Sequence, residues 1–191
     1  MSAIGVHTIT LGDTLLPLNA ILRSANGDPV DLSLYTVQFK MELENGTSEL
    51  ALTSTGVSVH PTQTFTAEAD DDYLTCNAHG VTEENQIIVA NSGGALPTGL
   101  AASTRYFPVQ VTQNRFQLAA SPGGAGINLT TDGTGTNTFY ILGSVQMDFA
   151  AANVDTAQIM RGWFVLTSGS ETKTLPEGDR WFEVRVVGAG A

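Results

Sequence analysis

Between Tyr35 and Glu44 apolar and polar residues alternate without a break: Tyr35, Val37, Phe39, Met41 and Leu43 against Thr36, Gln38, Lys40, Glu42 and Glu44. A period of two places each set on its own face, which predicts a strand with one dry and one wet side. Asn45-Gly46 follows at once and predicts a tight turn, since both residues tolerate positive φ. Upstream, the apolar stretch from Leu15 to Arg23 ends in Ser24-Ala25-Asn26-Gly27-Asp28-Pro29, a strand closed by a turn. Alternation returns late in the chain, with Val145, Met147 and Phe149 opposed to Ser144, Gln146 and Asp148. Ala150 to Ala157 reads as a short link of up to one helical turn. Gln158 to Thr167 is apolar on both faces, as expected of a central sandwich strand, and Gly169 ends it. Leu175-Pro176-Glu177-Gly178-Asp179 predicts a turn before a last strand, Trp181 to Val187, in which Phe182, Val184 and Val186 oppose Glu183 and Arg185.

The middle, roughly Phe65 to Phe139, has another texture. Asp70-Asp71-Asp72 opens it, and the glycine-rich Gly123-Gly124-Ala125-Gly126 and Gly133-Thr134-Gly135 close it. Short β-type runs lie at Gln86 to Ala90, Arg105 to Val111 and Phe116 to Ala119, the last two joined by the hairpin-like Thr112-Gln113-Asn114-Arg115. No helical period is sustained and no internal repeat is visible. The pattern therefore predicts an all-β chain: a discontinuous domain from residues 1–64 and 140–191, with a small β-module, 65–139, inserted in it.

Composition narrows the partners. Charged residues are only 14% of the 191, against about 25% in ordinary globular domains, and 19 acidic residues against 8 basic ones give a net charge of -11. Phosphate backbones and anionic membrane surfaces are repelled by such a chain, so nucleic acid and membrane are not expected as partners, whereas a basic protein patch is attracted. Cys76 is the lone cysteine, so no disulfide within the chain is available. Met1 to Thr10 shows neither a basic nor an apolar leader region, and synthesis in the cytoplasm is expected. The N-x-S/T matches at Asn45 and Asn128 are then accidental.

Two resemblances follow from these residues. Gly12-Asp13-Thr14, Asn26-Gly27-Asp28-Pro29-Val30-Asp31-Leu32, and later Asp148-Phe149, Gly162-Trp163-Phe164 and Leu175-Pro176 resemble, in that order, the immunoglobulin-like domain of phage baseplate upper proteins. The middle resembles a short β-module that recurs in phage tail and other virion proteins. Its signature here is Ala78-His79-Gly80, Gly94-Ala95-Leu96-Pro97-Thr98-Gly99-Leu100, Tyr106-Phe107, Phe116-Gln117-Leu118-Ala119, Pro122-Gly123-Gly124 and Gly133-Thr134-Gly135-Thr136. The chain departs from that module at Glu83-Glu84-Asn85, where a Gly-Asp turn is expected. The resemblances imply an immunoglobulin-like β-sandwich and a virion structural role. That role is either capsid decoration, towards which a short chain without coiled coil or fibre repeat leans, or a tail or baseplate component. Partners are then other virion proteins, including further copies of the chain. A receptor- or carbohydrate-binding module of the tail is the alternative.

No catalytic, cofactor-binding or metal-binding set is expected. Cys76 and His79 are three apart, but zinc needs three or four ligands, and His7, His60 and His79 are scattered; His79 instead suits a turn beside Gly80. Asp70, Asp71 and Asp72, with Glu68, lack the spacing of a calcium loop and read as a solvated turn. Glu42 and Glu44 share the wet face of a strand with Lys40, without the pocket that a hydrolase pair requires. No Gly-x-Ser-x-Gly elbow or phosphate loop occurs, and Gly123, Gly124 and Gly126 serve turns. Trp163 and Trp181 would stack on sugars if exposed, but large aromatics dominate sandwich cores, so both are expected between the sheets.

Overall fold

The structure, a computed structural model, describes residues 2–10, 17–43, 49–51, 57–150, 156–177 and 180–188. Their regular elements are all strands, as a dominant period of two requires. In chain order they begin with β1 (Ser2–Thr10), β2 (Leu18–Ile21), β3 (Thr36–Leu43), β4 (Glu49–Ala51) and β5 (Val57–Val59). Then come β6 (Gln63–Glu68), β7 (Tyr73–Thr75), β8 (Ile87–Ser92), β9 (Arg105–Val109), β10 (Arg115–Ala119) and β11 (Thr136–Ile141). The last are β12 (Ser144–Met147), β13 (Gln158–Ser168), β14 (Glu171–Leu175) and β15 (Arg180–Val187).

The chain forms two compact units, residues 1–60 with 143–191, and residues 61–142. Residues 61–64 and 140–142, expected with the flanks, fall in the second unit because β6 and β11, which pair with each other, reach into them. The expected turn at Asn45-Gly46 and most of the expected link after Ala150 lie outside the described residues.

The first unit has a sheet in the order β1-β15-β13-β3-β4, with β14 also beside β13, and a second sheet in the order β2-β12-β5. Phe39, Met41, Met160, Phe164 and Val184 from the larger sheet share one core with Leu18, Val57, Val145 and Met147 from the smaller, which makes this unit a β-sandwich. The turn after β2 is closed by the Gly27 N–H on the Ser24 carbonyl at 2.9 Å. β14 was not expected: of its five residues only Leu175 reaches the core.

β13 is central, as expected, yet it is not buried on both faces. Met160, Gly162, Phe164 and Leu166 point into the core, while Arg161, Trp163, Val165 and Thr167 are half-buried on the opposite face. Trp163 and Trp181 are therefore not between the sheets. Strand alternation sends neighbours to opposite sides, and Phe164 and Phe182 hold the inward places beside them. Alternation makes position 162 inward, and it holds glycine because the fully buried Phe39 ring takes up the side-chain space: a Cβ there would be closer to the ring than van der Waals contact permits.

The second unit is a closed barrel, β10-β7-β6-β11-β8-β9, antiparallel at every seam. Phe65, Leu74, Ile87, Val89, Phe116, Leu118 and Phe139 fill it, with Phe116 and Phe139 packed edge to face at 5.4 Å. Glycine is required at Gly133: its φ is +75°, and a Cβ would lie 2.7 Å from the Ala95 carbonyl oxygen. At the departure from the virion module, Glu83 and Glu84 sit in a turn closed by the Asn85 N–H on the Thr82 carbonyl at 3.1 Å, and by the Thr82 N–H on Asn85 Oδ1 at 2.8 Å.

Gly162→Ala should lower the unfolding free energy by about 1–3 kcal/mol, the usual cost of overpacking a filled core. Denaturant unfolding measures it, and Phe39→Leu in the same chain should recover part of the loss by giving the new methyl room.

Candidate functional site

Cys76 and His79 lie in the barrel but do not act on each other. The Cys76 thiol points at Gln63 Oε1, 3.3 Å away, and burial pushes its pKa up, which suppresses the reactive thiolate. His79 is buried against Phe116 with ring centroids 5.0 Å apart, and its Nδ1 accepts the Val81 N–H at 2.9 Å, closing the turn at Gly80. Its Nε2 is buried without a well-aligned hydrogen-bond partner. Burial holds the imidazole pKa below its ordinary value, against a smaller upward pull from the backbone at Thr112 and Arg115.

The acidic turn is structural wiring. Asp72 Oδ1 accepts the Leu129 N–H at 2.7 Å, Asp132 Oδ1 accepts the Ala69 N–H at 2.8 Å, and Glu68 Oε1 accepts the Thr75 hydroxyl at 2.9 Å. Asp71 pairs with Arg115 at 3.1 Å, and the Arg115 guanidinium lies 4.2 Å from the Tyr73 ring centroid. These carboxylates are spent on separate partners, backbone N–H groups for Asp72 and Asp132, a hydroxyl for Glu68 and a guanidinium for Asp71. Among the described residues no group of three or more His, Cys, Asp or Glu is gathered so as to hold a metal ion.

The outward face of the larger sheet in the sandwich gathers more. Trp163 and Trp181 each lie one residue beyond the Gly162–Phe182 pair on adjoining antiparallel strands, and both are half-buried. The Arg161 guanidinium rests 4.5 Å from the Trp181 ring centroid, and β13 places Arg161 opposite Glu42 on one side and Glu183 on the other. Lys40 stands opposite Trp163. Glu42 thus belongs to a mixed-charge aromatic face; Glu44 is outside the described residues. The sequence does not show this surface, because alternation within a strand says nothing of which residues on a neighbouring strand lie beside it. The register of β13 against β15 is what joins the two tryptophans.

Another concavity in the sandwich, a cleft of about 340 Å³, lies between the turn after β2 and the end of β14. Leu22, Leu175, Pro176 and Phe182 line it together with Arg23 and Glu177. Arg23 donates to the Gly27 carbonyl at 2.9 Å and Glu177 pairs with Lys173 at 2.8 Å, so both charges already serve the fold.

No family model and no curated protein matches the chain. A solved structure of a family 123 glycoside hydrolase from Clostridium perfringens, described for glycolipid glycan hydrolysis, is similar at a TM-score of 0.30 and 11% identity. The likeness covers 98% of this chain and 23% of that one, so this chain spans about a quarter of its length. A likeness that low carries no argument about fold or activity.

At the root of the barrel, Gly143 donates its N–H to His60 Nε2 at 3.2 Å, and burial lowers the His60 pKa against an upward pull from Asp31. His60 and His79 both bind protons more weakly folded than unfolded, so the unfolded chain takes up protons first as pH falls. Stability should be steady above the ordinary histidine value of 6.5 and fall as the pH drops below it. Melting temperatures across pH 8 to about 5, above most carboxylate titration, should show this. His60→Gln with His79→Asn, which keep the acceptor atoms, should flatten the slope.

Proposed function

We propose that the chain is a non-enzymatic structural component of a tailed-phage particle, with a sandwich of the immunoglobulin-like kind carrying the barrel as a plug-in module. The observation that carries this reading is how the barrel is spliced in. The chain leaves the sandwich after His60 and returns at Gly143, between the paired strands β5 and β12, with the His60 N–H on the Ser144 carbonyl at 2.9 Å. A module whose two ends meet on a hairpin can be gained without disturbing the host core. Such construction suits proteins that decorate a repetitive surface, and the sequence resemblance of both parts to virion proteins points the same way. The residues with catalytic potential, Cys76, His79, Asp71 and Asp72, being engaged in the barrel's own contacts, support a role without chemistry.

Within the particle, head decoration and a tail or baseplate position are both compatible with this build, and other virion proteins are the partners. A density map of intact particles of the encoding phage should contain the sandwich and barrel at symmetry-related positions. Absence of the protein from purified particles would reject the proposal.

One observation favours a second reading, a carbohydrate- or receptor-binding module: Trp163 and Trp181 sit on an outward face, where indole rings can stack on sugars. Intrinsic fluorescence titrated with neutral oligosaccharides separates the readings. Binding predicts a saturable change that Trp163→Ala abolishes and Lys40→Ala weakens; a flat response rejects the sugar-binding role.

A further inference from the structure

We propose that Asn26 is a site of covalent self-modification, where the backbone nitrogen of Gly27 closes on the Asn26 carboxamide and expels ammonia, with Ser24 and Asp28 promoting the step. The pair lies in the turn after β2, and Ala25, Asn26, Gly27 and Asp28 are all exposed, so water reaches the reacting atoms. A glycine after asparagine leaves the attacking nitrogen unshielded. Here nothing lies within 4 Å of where a Gly27 Cβ would stand.

Three hydrogen bonds address the carboxamide and its attacker. The Ser24 hydroxyl donates to Asn26 Oδ1, with the Asp28 carbonyl as a second acceptor at 3.1 Å. A donor on Oδ1 draws electrons from Cγ and stabilises the oxyanion that forms as the nitrogen adds. Asn26 Nδ2 donates to Asp28 Oδ2 at 2.7 Å, which places a carboxylate where a proton has to be received and returned. The third bond is a brake: the Gly27 N–H donates to the Ser24 carbonyl at 2.9 Å and must let go before the nitrogen turns to Cγ. The stem of the turn is held separately, by the Ser24 N–H on the Asp28 carbonyl at 2.9 Å, the Arg23–Pro29 bridge, and Arg23 on the Gly27 carbonyl at 2.9 Å. Opening the brake therefore leaves Ser24 and Asp28 in place.

In the step the bond from Gly27 N to Asn26 Cγ forms and the Asn26 Cγ–Nδ2 bond breaks. The Gly27 amide proton passes through the Asp28 carboxylate to the departing nitrogen, which leaves as ammonia. Water then opens the succinimide at either carbonyl, giving aspartate or isoaspartate at position 26 without any change of oxidation state. One negative charge is added to the -11, and it replaces the donor that had held Asp28, so like charges now face each other in the turn. Arg23, Ser24, Ala25 and Gly27 line the cleft beside β14, and the modification changes that lining. None of this depends on the virion reading.

Asn45→Gln removes the other Asn-Gly pair, which lies outside the described residues, and supplies the parent chain for the test. After incubation of the folded parent at neutral pH, peptide mass mapping should find loss of ammonia, gain of water and isoaspartate at Asn26 sooner than at any other asparagine. Asn26→Gln should abolish the signal. Ser24→Ala and Asp28→Asn should each slow it about five- to tenfold in the folded chain, the worth of one exposed hydrogen bond to the reacting group. Ser24→Thr, which keeps the hydroxyl, should retain the parent's rate. In urea-unfolded chains, where the groups are no longer placed, none of these substitutions at Ser24 or Asp28 should matter. Melting curves identify the variants that fold, and rates are compared among those. An Asn26 that stays intact while other asparagines react, or a folded-state rate that rises or stands still in Ser24→Ala or Asp28→Asn, overturns the proposal.

Discussion

The pairing of β5 with β12 is the constraint on which the chain's organisation rests. These two short strands adjoin in the smaller sheet although residues 61–142 separate them in sequence. Closing so long a loop costs entropy, but a loop that folds by itself holds its own ends near each other and removes much of that cost. The antiparallel seam of β6 with β11 does this, since one follows β5 and the other precedes β12. The last stitches are the His60 N–H on the Ser144 carbonyl and the Gly143 N–H on His60 Nε2. Met147 and Val57 can then meet in the sandwich core as though adjacent in the chain.

Each unit solves the problem of strand edges differently. Closure leaves the barrel none, and its polar residues go into holding the closing turns: Asn91 Nδ2 reaches the Thr134 carbonyl and Asn137 Oδ1, both at 2.7 Å, and Tyr106 accepts the Ala101 N–H at 2.8 Å. The sandwich has open edges and an outer sheet face, and both are accessible places where backbone groups or aromatic surface can meet another molecule. Open strand edges are thus a feature of the sandwich alone among the described residues, while the barrel's side-chain amides and carboxylates are largely spent on its own turns.

The acidic turn shows why residue type alone misleads about chemistry. Asp71, Asp72 and Asp132 would suit a cation if their oxygens converged, but each serves a different strand or turn. A carboxylate on a backbone N–H is a strong contact at a tight turn, where the chain has donors to spare. Asp72 itself has a φ of +64°, a conformation in which few residues other than glycine, asparagine and aspartate rest easily.

Strict alternation at Tyr35 to Glu44 and Trp181 to Val187, and the apolar run from Gln158, were enough by themselves to place β3, β13 and β15, because period two is a local property of the chain. The change of texture around Phe65 and Phe139 likewise marked the insert to within a few residues. Other elements were not legible. β14 is mostly polar, β4, β5 and β7 are too short to show a period, and β1 owes its place to a long-range parallel pairing with β15. Which face of β13 meets the second sheet, and so which aromatics are core and which are surface, was decided only by tertiary structure. Alternation specifies that Trp163 and Phe164 point opposite ways; it takes the packing of a second sheet on one side to bury Phe164 and leave Trp163 outside.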